Sequence, residues 1–210
     1  MIVTALIPAR YAATRFPGKL MQDLGGTSVI RRTYEAARDT GLFQEVIVVT
    51  DSEIIEQEII DAGGKAIRSK AEHESGTDRI AEIAPDLSTD LIINVQGDEP
   101  FVDAAQLSSL IQLIAKADVS IATLAKKITD TSALFDPSKV KVVFDNHSRA
   151  LYFSRHAIPF VRNAEESHWK DVHTFYKHLG LYAYKPEKLK EICALQPSAL
   201  EKAESLEQLR

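Results

Sequence analysis

The sequence predicts an α/β fold: a doubly wound, mostly parallel sheet with a smaller antiparallel β lobe inserted into it. Three observations carry this. The runs "IVTALI" (2–7), "EVIVVT" (45–50) and "LIINVQ" (91–96) are continuously apolar and rich in β-branched residues, as expected of parallel strands buried on both faces. Between them lie helical patterns, which gives the βαβαβ alternation of a doubly wound sheet. After about residue 118 the pattern changes to shorter strand-like runs, several of them in antiparallel relation.

The elements follow in order. "SVIRRTYEAARDTG" and "SEIIEQEIIDAGG" each open on a capping serine, Ser28 and Ser52, and each ends in a glycine, Gly41 and Gly63, the usual start and stop of a helix. In the second, Ile54, Ile55, Ile59 and Ile60 fall on one helical stripe. "VSIATLAKKI", "KVKVVFD", "ALYFS" and "HLGLYAY" read as the strands of the lobe, with "FDNHSRA" as a hairpin turn. The closing "SALEKAESLEQLR" places Ala199, Leu200, Ala203, Leu206 and Leu209 on an apolar stripe, which predicts one amphipathic helix in need of a partner surface. No proline- or serine-rich linker and no internal repeat interrupts the chain. It is therefore read as a single domain over 1–210, with a nucleotide-binding half at about 1–117 and a mixed lobe at about 118–185.

Composition narrows the function. The 210 residues, 45% hydrophobic, suffice for one sizeable core. A net charge of −5 and a pI near 5.7 argue against a general nucleic-acid surface. No apolar run approaches the length of a membrane span, and "MIVTALIPAR" lacks a basic, cleavable leader. The single Cys193 excludes an internal disulfide and is read as a core thiol, and Trp169 as packing. A cytoplasmic protein is the expectation. His168, His173 and His178, spaced by five and without a cysteine cluster, argue against structural zinc.

Against this acidic background the first 32 residues hold Arg10, Arg15, Lys19, Arg31 and Arg32 and a single acid, Asp23. Three of the cations lie in "PARYAATRFPGK" (8–19), a proline- and glycine-broken loop between a strand's end and a helix's start. Basic loops are often only solvated. Here, however, the place is one where backbone N–H groups and helix dipoles favour phosphate. Neither G-x-x-x-x-G-K-[S/T] nor G-x-G-x-x-G is present. "NVQGDEP" (94–100) delivers Asp98 and Glu99 to the same crevice edge, either as an acidic helix start capped by Asp103 or as a carboxylate holding Mg²⁺ against phosphate oxygens. In "HESGTDRIAE" (73–82), Ser75, Gly76 and Thr77 enter a helix. Beyond capping, Gly76 lets a base approach the backbone, while Ser75 and Arg79 offer hydrogen bonds to its edge.

Seven segments in order, "IPARYAATRFPGK", "HESGTDR", "NVQGDEP", "VKVVFD", "ALYFSR", "KHLGLYAY" and "LEQLR", make the chain closely resemble the 3-deoxy-manno-octulosonate (Kdo) cytidylyltransferases, or CMP-Kdo synthetases, of nucleotide-sugar-transferase fold. The related CMP-sialate synthetases share the I-P-A-R opening but not the later motifs. The resemblance implies transfer of a cytidylyl group from CTP to Kdo with Mg²⁺, giving pyrophosphate and the activated sugar of lipopolysaccharide assembly, in a homodimer. It assigns Ala9, Arg10, Arg15 and Lys19 to the CTP phosphates, Ser75, Gly76 and Arg79 to the cytosine, and Asp98 to the metal. Arg155, His178, Tyr182, Glu207 and Gln208 would hold Kdo, with Gln96 bordering both substrates. Such chemistry needs fixed cations, a metal and in-line positioning rather than a covalent relay. The nucleophile would be the sugar's anomeric hydroxyl, made more acidic by the metal. The family continues beyond "LEQLR" into a strand and a D-[ST]-x-x-D-L segment with a second acidic metal ligand. The 210 residues are thus expected to be a shortened enzyme, with the terminal stripe poorly covered. Alternatives are a cytidylyltransferase for another acid sugar, or a non-catalytic nucleotide-binding module.

Overall fold

The computed structural model describes residues 1–12, 16–73 and 75–210. It divides into two compact units, Met1–Ala122 with Gly180–Ala194, and Thr123–Leu179 with Leu195–Arg210. In chain order the elements are β1 (Val3–Ala9), α1 (Val29–Asp39), β2 (Glu45–Thr50), α2 (Glu53–Asp61), β3 (Lys65–Arg68), α3 (Gly76–Ile83), β4 (Leu91–Asn94), α4 (Ala104–Ile114), β5 (Ile121–Lys127), α5 (Thr131–Phe135), β6 (Lys141–Phe144), β7 (Ala150–Ser154), α6 (Trp169–Val172), β8 (Tyr176–Tyr184), α7 (Pro186–Cys193) and α8 (Ala199–Glu204). Strands β5 and β8 each begin in one unit and end in the other.

In the first unit the parallel strands run in the order β3-β2-β1-β4. The C-terminal half of β8 then pairs antiparallel with β4. The order reverses at β1, because the chain leaves it towards β2 on one side and reaches β4 only later on the other. The crevice of such a sheet opens at that point, beyond the strands' carboxyl ends. The apolar runs that predict the three strands are buried as expected, since helices cover both faces. Leu6, Ile47, Val49 and Ile92 pack with Ile80 and Ile83 of α3 and Leu189 of α7. The alternate residues Ile7, Val48 and Ile93 are equally buried, as are Ile30, Ile55 and Ile59 of α1 and α2. Ser28 and Ser52 cap α1 and α2 as predicted, their hydroxyls accepting from the amides of Arg31 and Ile55. The isoleucine stripe of α2 is narrower than expected: Ile54 and Ile60 stay 55% and 49% exposed, because the edge of the sheet gives α2 a partner on one side only.

The second unit holds the β6–β7 hairpin, paired through β6 with the N-terminal half of β8. Its turn lies where "FDNHSRA" predicts it. Asp145 Oδ1 accepts from the amides of His147 and Arg149, both at 2.8 Å, and Ser148 takes a positive φ of 62°. Trp169 packs as expected, within a core of Ile128, Leu134, Ala157 and Phe175, stacked on Phe175 at 6.2 Å with its Nε1 donating to Ala164 O. The terminal amphipathic helix is shorter than predicted. It ends at Glu204, Ser205 turns left-handed at φ 51°, and a 3₁₀ turn follows over Glu207–Leu209. The break splits the expected stripe. Leu206 is buried against Val142 and Phe153 with Leu209 beside it, whereas Leu200 is exposed. The expected poor cover therefore applies to Leu200 and not to Leu206.

Two predictions follow from this packing. A Cβ on Gly97 would lie 2.8 Å from Pro8 O and 3.3 Å from Ile30 Cδ1 and Leu20 Cδ1. Gly97→Ala should therefore cost about 1–3 kcal/mol, the usual penalty of overpacking; an unchanged urea midpoint would show that the strand ends have room. His178, half-buried, with Nε2 at 2.9 Å from Thr123 Oγ1 and its ring edge-on to Phe153, has its pKa lowered by burial from 6.5 to about 4. Between those values the unfolded chain binds the extra proton, so stability falls as pH drops from 6.5 towards about 4. His178→Gln should remove about 2–3 kcal/mol of that acid-side loss, read as melting temperature against pH. Parallel curves for the two proteins would refute it.

Candidate active site

The site is built where β1 and β4 end side by side. Val3 to Leu6 pair with Leu91 to Asn94, and Val95 N still donates to Leu6 O. Gly97 then passes so close to Pro8 that only glycine fits. Its carbonyl is taken by Thr33 Oγ1 of α1 at 2.9 Å. This fixes the turn that presents Asp98. On the other side Ala9 is buried as the last residue of β1, and Arg10 stands exposed just beyond it. Gly18, at φ 70°, closes the loop by donating its amide to Tyr11 O at 2.9 Å. Lys19 follows, and its Nζ meets Asp98 Oδ2 at 2.5 Å, with the two side chains 48% and 46% exposed. The predicted basic loop and strand-end carboxylate are thus brought together. Arg15 lies outside the described residues.

The loop ahead of α3 is the second wall. Ser75 caps α3, accepting from Asp78 N at 3.0 Å and donating to Asp78 Oδ2 at 2.7 Å. A Cβ on Gly76 would lie 3.1 Å from Pro8 Cγ and 3.9 Å from Gln96 Oε1, so the tip of α3 abuts the ends of β1 and β4. Arg79 is only 3% exposed and donates to Ser69 Oγ at 2.7 Å and Asp51 Oδ2 at 2.8 Å. Three residues on, Glu82 accepts from the amides of Lys70 and Ala71 and from His73 Nε2. The Lys70 amide, followed by His73, holds its carboxyl below the ordinary range. Two charged residues one turn apart on α3 thereby fasten the 69–73 loop. The anchoring roles of Asp51 and Glu82 are not readable from the chain, because their partners lie elsewhere in sequence.

Gln96, half-buried, and Tyr182, stacked on Tyr184 at 5.9 Å, belong to the first unit. The other residues assigned to the sugar lie in the second. There Arg155 donates through Nε, Nη1 and Nη2 to the carbonyls of Glu204, Pro137 and Ser205. The Glu204 carboxylate accepts from Ser154 Oγ and Arg155 N, which depress its pKa. Lys141, fully buried on β6, donates to Asp136 O and Arg155 O, and burial lowers its pKa. Glu207 is exposed and Gln208 half-buried in the 3₁₀ turn that follows. Sequence reasoning missed Lys141 and Glu204. A lysine in the middle of "VKVVFD" was the available signal.

It also missed Asn94. This last residue of β4 is 0% exposed, and neither atom of its amide has a hydrogen-bond partner among the described residues. Each such buried group costs about 1–3 kcal/mol.

Among the described residues no group of three or more His, Cys, Asp or Glu side chains is placed to hold a metal ion, and no helix is long and apolar enough to cross a membrane.

Residues 4–210 match the cytidylyltransferase family. The 3-deoxy-manno-octulosonate cytidylyltransferases of Cytophaga hutchinsonii and Flavobacterium johnsoniae are each 48% identical, over 99% and 100% of this chain and 84% and 85% of theirs. A solved CMP:2-keto-3-deoxy-manno-octonic acid synthetase, complexed with CTP, superposes with a TM-score of 0.91 at 40% identity, over 100% of this chain and 84% of that one. The expected sheet architecture agrees with that neighbour, and the motifs that carry the resemblance lie within the matched span. The chain belongs to the cytidylyltransferase family, among the 3-deoxy-manno-octulosonate cytidylyltransferases.

Proposed function

We propose that this chain transfers a cytidylyl group from CTP to Kdo, giving CMP-Kdo and pyrophosphate for lipopolysaccharide assembly. The observation that carries the reading is the pairing of Lys19 with Asp98 beyond the adjoining ends of β1 and β4, in a chain 40% identical to a synthetase solved with CTP. The anomeric oxygen of Kdo bonds to the α-phosphorus of CTP, the bond from that phosphorus to the bridging oxygen breaks, pyrophosphate leaves, and the hydroxyl proton passes to solvent. Negative charge grows on the leaving group. Arg10, Arg15 and Lys19 neutralise it, and fixed cations of this kind act most strongly when preorganised. The buried end of β1 at Ala9 sets the start of that loop.

Asp98 offers oxygen donors at the crevice edge, and Mg²⁺ is commonly held by one or two carboxylates together with substrate phosphates. The donor set fits. Asp98 would hold the ion, which supplies charge stabilisation at the phosphates when bound. Ser75 and Gly76 present the α3 tip to the cytosine; Arg79, assigned to the cytosine by resemblance, is buried with its guanidinium on Ser69 and Asp51 and supports that wall from within. Gln96 borders base and sugar. Tyr182, His178, Arg155, Glu207 and Gln208 are assigned to the sugar by resemblance. Arg155 also fixes the Glu204 and Ser205 carbonyls just ahead of Glu207. A homodimer in the cytoplasm belongs to the same reading, and the exposed Leu151, Phe160 and Val172 are apolar surface of the kind such a contact covers.

A coupled pyrophosphate assay across the four ribonucleoside triphosphates and several 2-keto acid sugars should give turnover with CTP and Kdo alone. In it Lys19→Ala should lower kcat/KM about 10²–10³-fold. Its melting temperature should barely change, since an exposed ion pair contributes at most about 1 kcal/mol. Near-normal turnover in that variant would remove Lys19 from the phosphates.

Asp98→Asn keeps the shape and loses the charge that a hard cation requires. Magnesium titration of turnover should show a weaker apparent affinity and a reduced maximum, with the fold intact by circular dichroism. An unchanged magnesium dependence would place the metal elsewhere.

A further inference from the structure

The mechanism above makes no use of Asn94, yet this residue is the one polar side chain in the β4 run "LIIN", all four of whose residues are buried. Every other side chain in that run contributes apolar packing. Asn94 is 0% exposed, and both its amide nitrogen and its amide oxygen lack a partner among the described residues. Leucine, nearly the same size, would satisfy the apolar surroundings better. A local rule broken deep in an otherwise consistent core points to function more often than to stability.

The register says where the amide sits. Asn94 is paired with Leu6 on β1 and with Tyr182 on β8, and directly paired residues share a face of the sheet. That face is the one covered by α3, because Leu6 and Ile92 pack on Ile80 and Ile83. Moving two residues towards the strand ends on the same face leads to Pro8 on β1, Gln96 beyond β4 and Gly180 on β8. These three meet the α3 tip and one another: Pro8 Cγ and Gln96 Oε1 lie 3.1 Å and 3.9 Å from a Cβ placed on Gly76, and Gln96 Cγ lies 3.7 Å from one placed on Gly180. Asn94 therefore stands one pleat beneath Gln96, between the apolar core and the wall assigned to the nucleotide. Same-face neighbours two residues apart on a strand are separated by about 6.5–7 Å; no hydrogen bond joins the two amides directly, and that spacing leaves room for one bridging group between them.

We propose that Asn94 is a positioning residue that acts through Gln96: its amide supplies the inner hydrogen-bonding end of a path that fixes which way the Gln96 carboxamide faces the substrates. The carboxamide of Gln96 has a donor end and an acceptor end, and a half-buried side chain without an internal partner would present both to the ligand at random. An amide beneath it selects one. The inference rests on the functional reading above, since that reading places Gln96 at the substrates.

A double-mutant cycle on the full chain tests it, with Asn94→Leu, Gln96→Ala and the double variant compared in pyrophosphate release from CTP and Kdo. Asn94→Leu should keep or raise the melting temperature, because it replaces unpaired polar atoms by apolar ones, and should lower kcat/KM at least tenfold. In the Gln96→Ala background the same change should have no further effect, since residues that act as a unit are non-additive. A lower melting temperature with kcat/KM retained would make Asn94 purely structural. Equal losses in both backgrounds would show that it does not act through Gln96. If leucine does not fit, Asn94→Ala is read in the same cycle on kcat/KM alone, since the cavity it leaves lowers the melting temperature by itself. Absence of turnover in the parent would overturn the functional reading instead, and the cycle is then scored on CTP affinity by titration calorimetry, where additivity overturns the inference.

Discussion

The site depends on one close approach, that of the β4 end to the β1 end at Gly97 and Pro8. Two parallel strands lie a fixed distance apart while they are paired, and each loop that leaves them is free to diverge. Here divergence is prevented. Gly97 carries no side chain towards Pro8 O, and its own carbonyl is held by Thr33 from α1. The same Pro8 ring is the surface on which the α3 tip rests at Gly76. Three segments far apart in sequence, the basic loop, the capped helix start and the acidic strand end, are thus referred to one proline. The position of Lys19 against Asp98 follows from it.

What was legible in the sequence is what has a local cause. The strands β1, β2 and β4 are largely apolar because they are covered on both sides, and that pattern needs no knowledge of the partner. Ser28, Ser52, Ser75 and Asp103 each cap the helix they precede, since capping is a bond between residues two or three apart. That Lys19 of the basic loop meets Asp98 was legible because strand order alone brings strand ends together. What was not legible depends on distant partners. The exposed Ile54 and Ile60 follow from where the sheet stops, and the end of the terminal helix from the left-handed Ser205 and the pocket offered to Leu206 by Val142 and Phe153. The edge strand β3, "KAIR", is too short and too mixed in burial to announce itself.

The second unit shows the same distinction in its polar interior. The resemblance singles out Arg155 as a sugar ligand and gives no sign of Glu204, yet the two are interlocked. The backbone amide of Arg155 serves the Glu204 carboxylate, while its guanidinium serves the carbonyls of Glu204 and Ser205. The buried Lys141 completes the arrangement by binding Arg155 O. Buried charges of this kind are tolerable only when their hydrogen bonds are satisfied. The outcome is a precise path for the chain where α8 ends and the Glu207–Gln208 turn begins.

The Lys19–Asp98 pair has a consequence for how ligands enter. Each partner neutralises the other, so the pair presents no net charge to an approaching ion of either sign. A phosphate that draws Lys19 away leaves a bare carboxylate, and a cation that draws Asp98 away leaves a bare ammonium. In either case the first arrival exposes the charge that attracts the second. A nucleotide and a cation that used these two side chains would thereby be linked in the thermodynamic sense, each raising the affinity for the other by the same factor, through an exchange of counter-ions between two side chains rather than a movement of the fold.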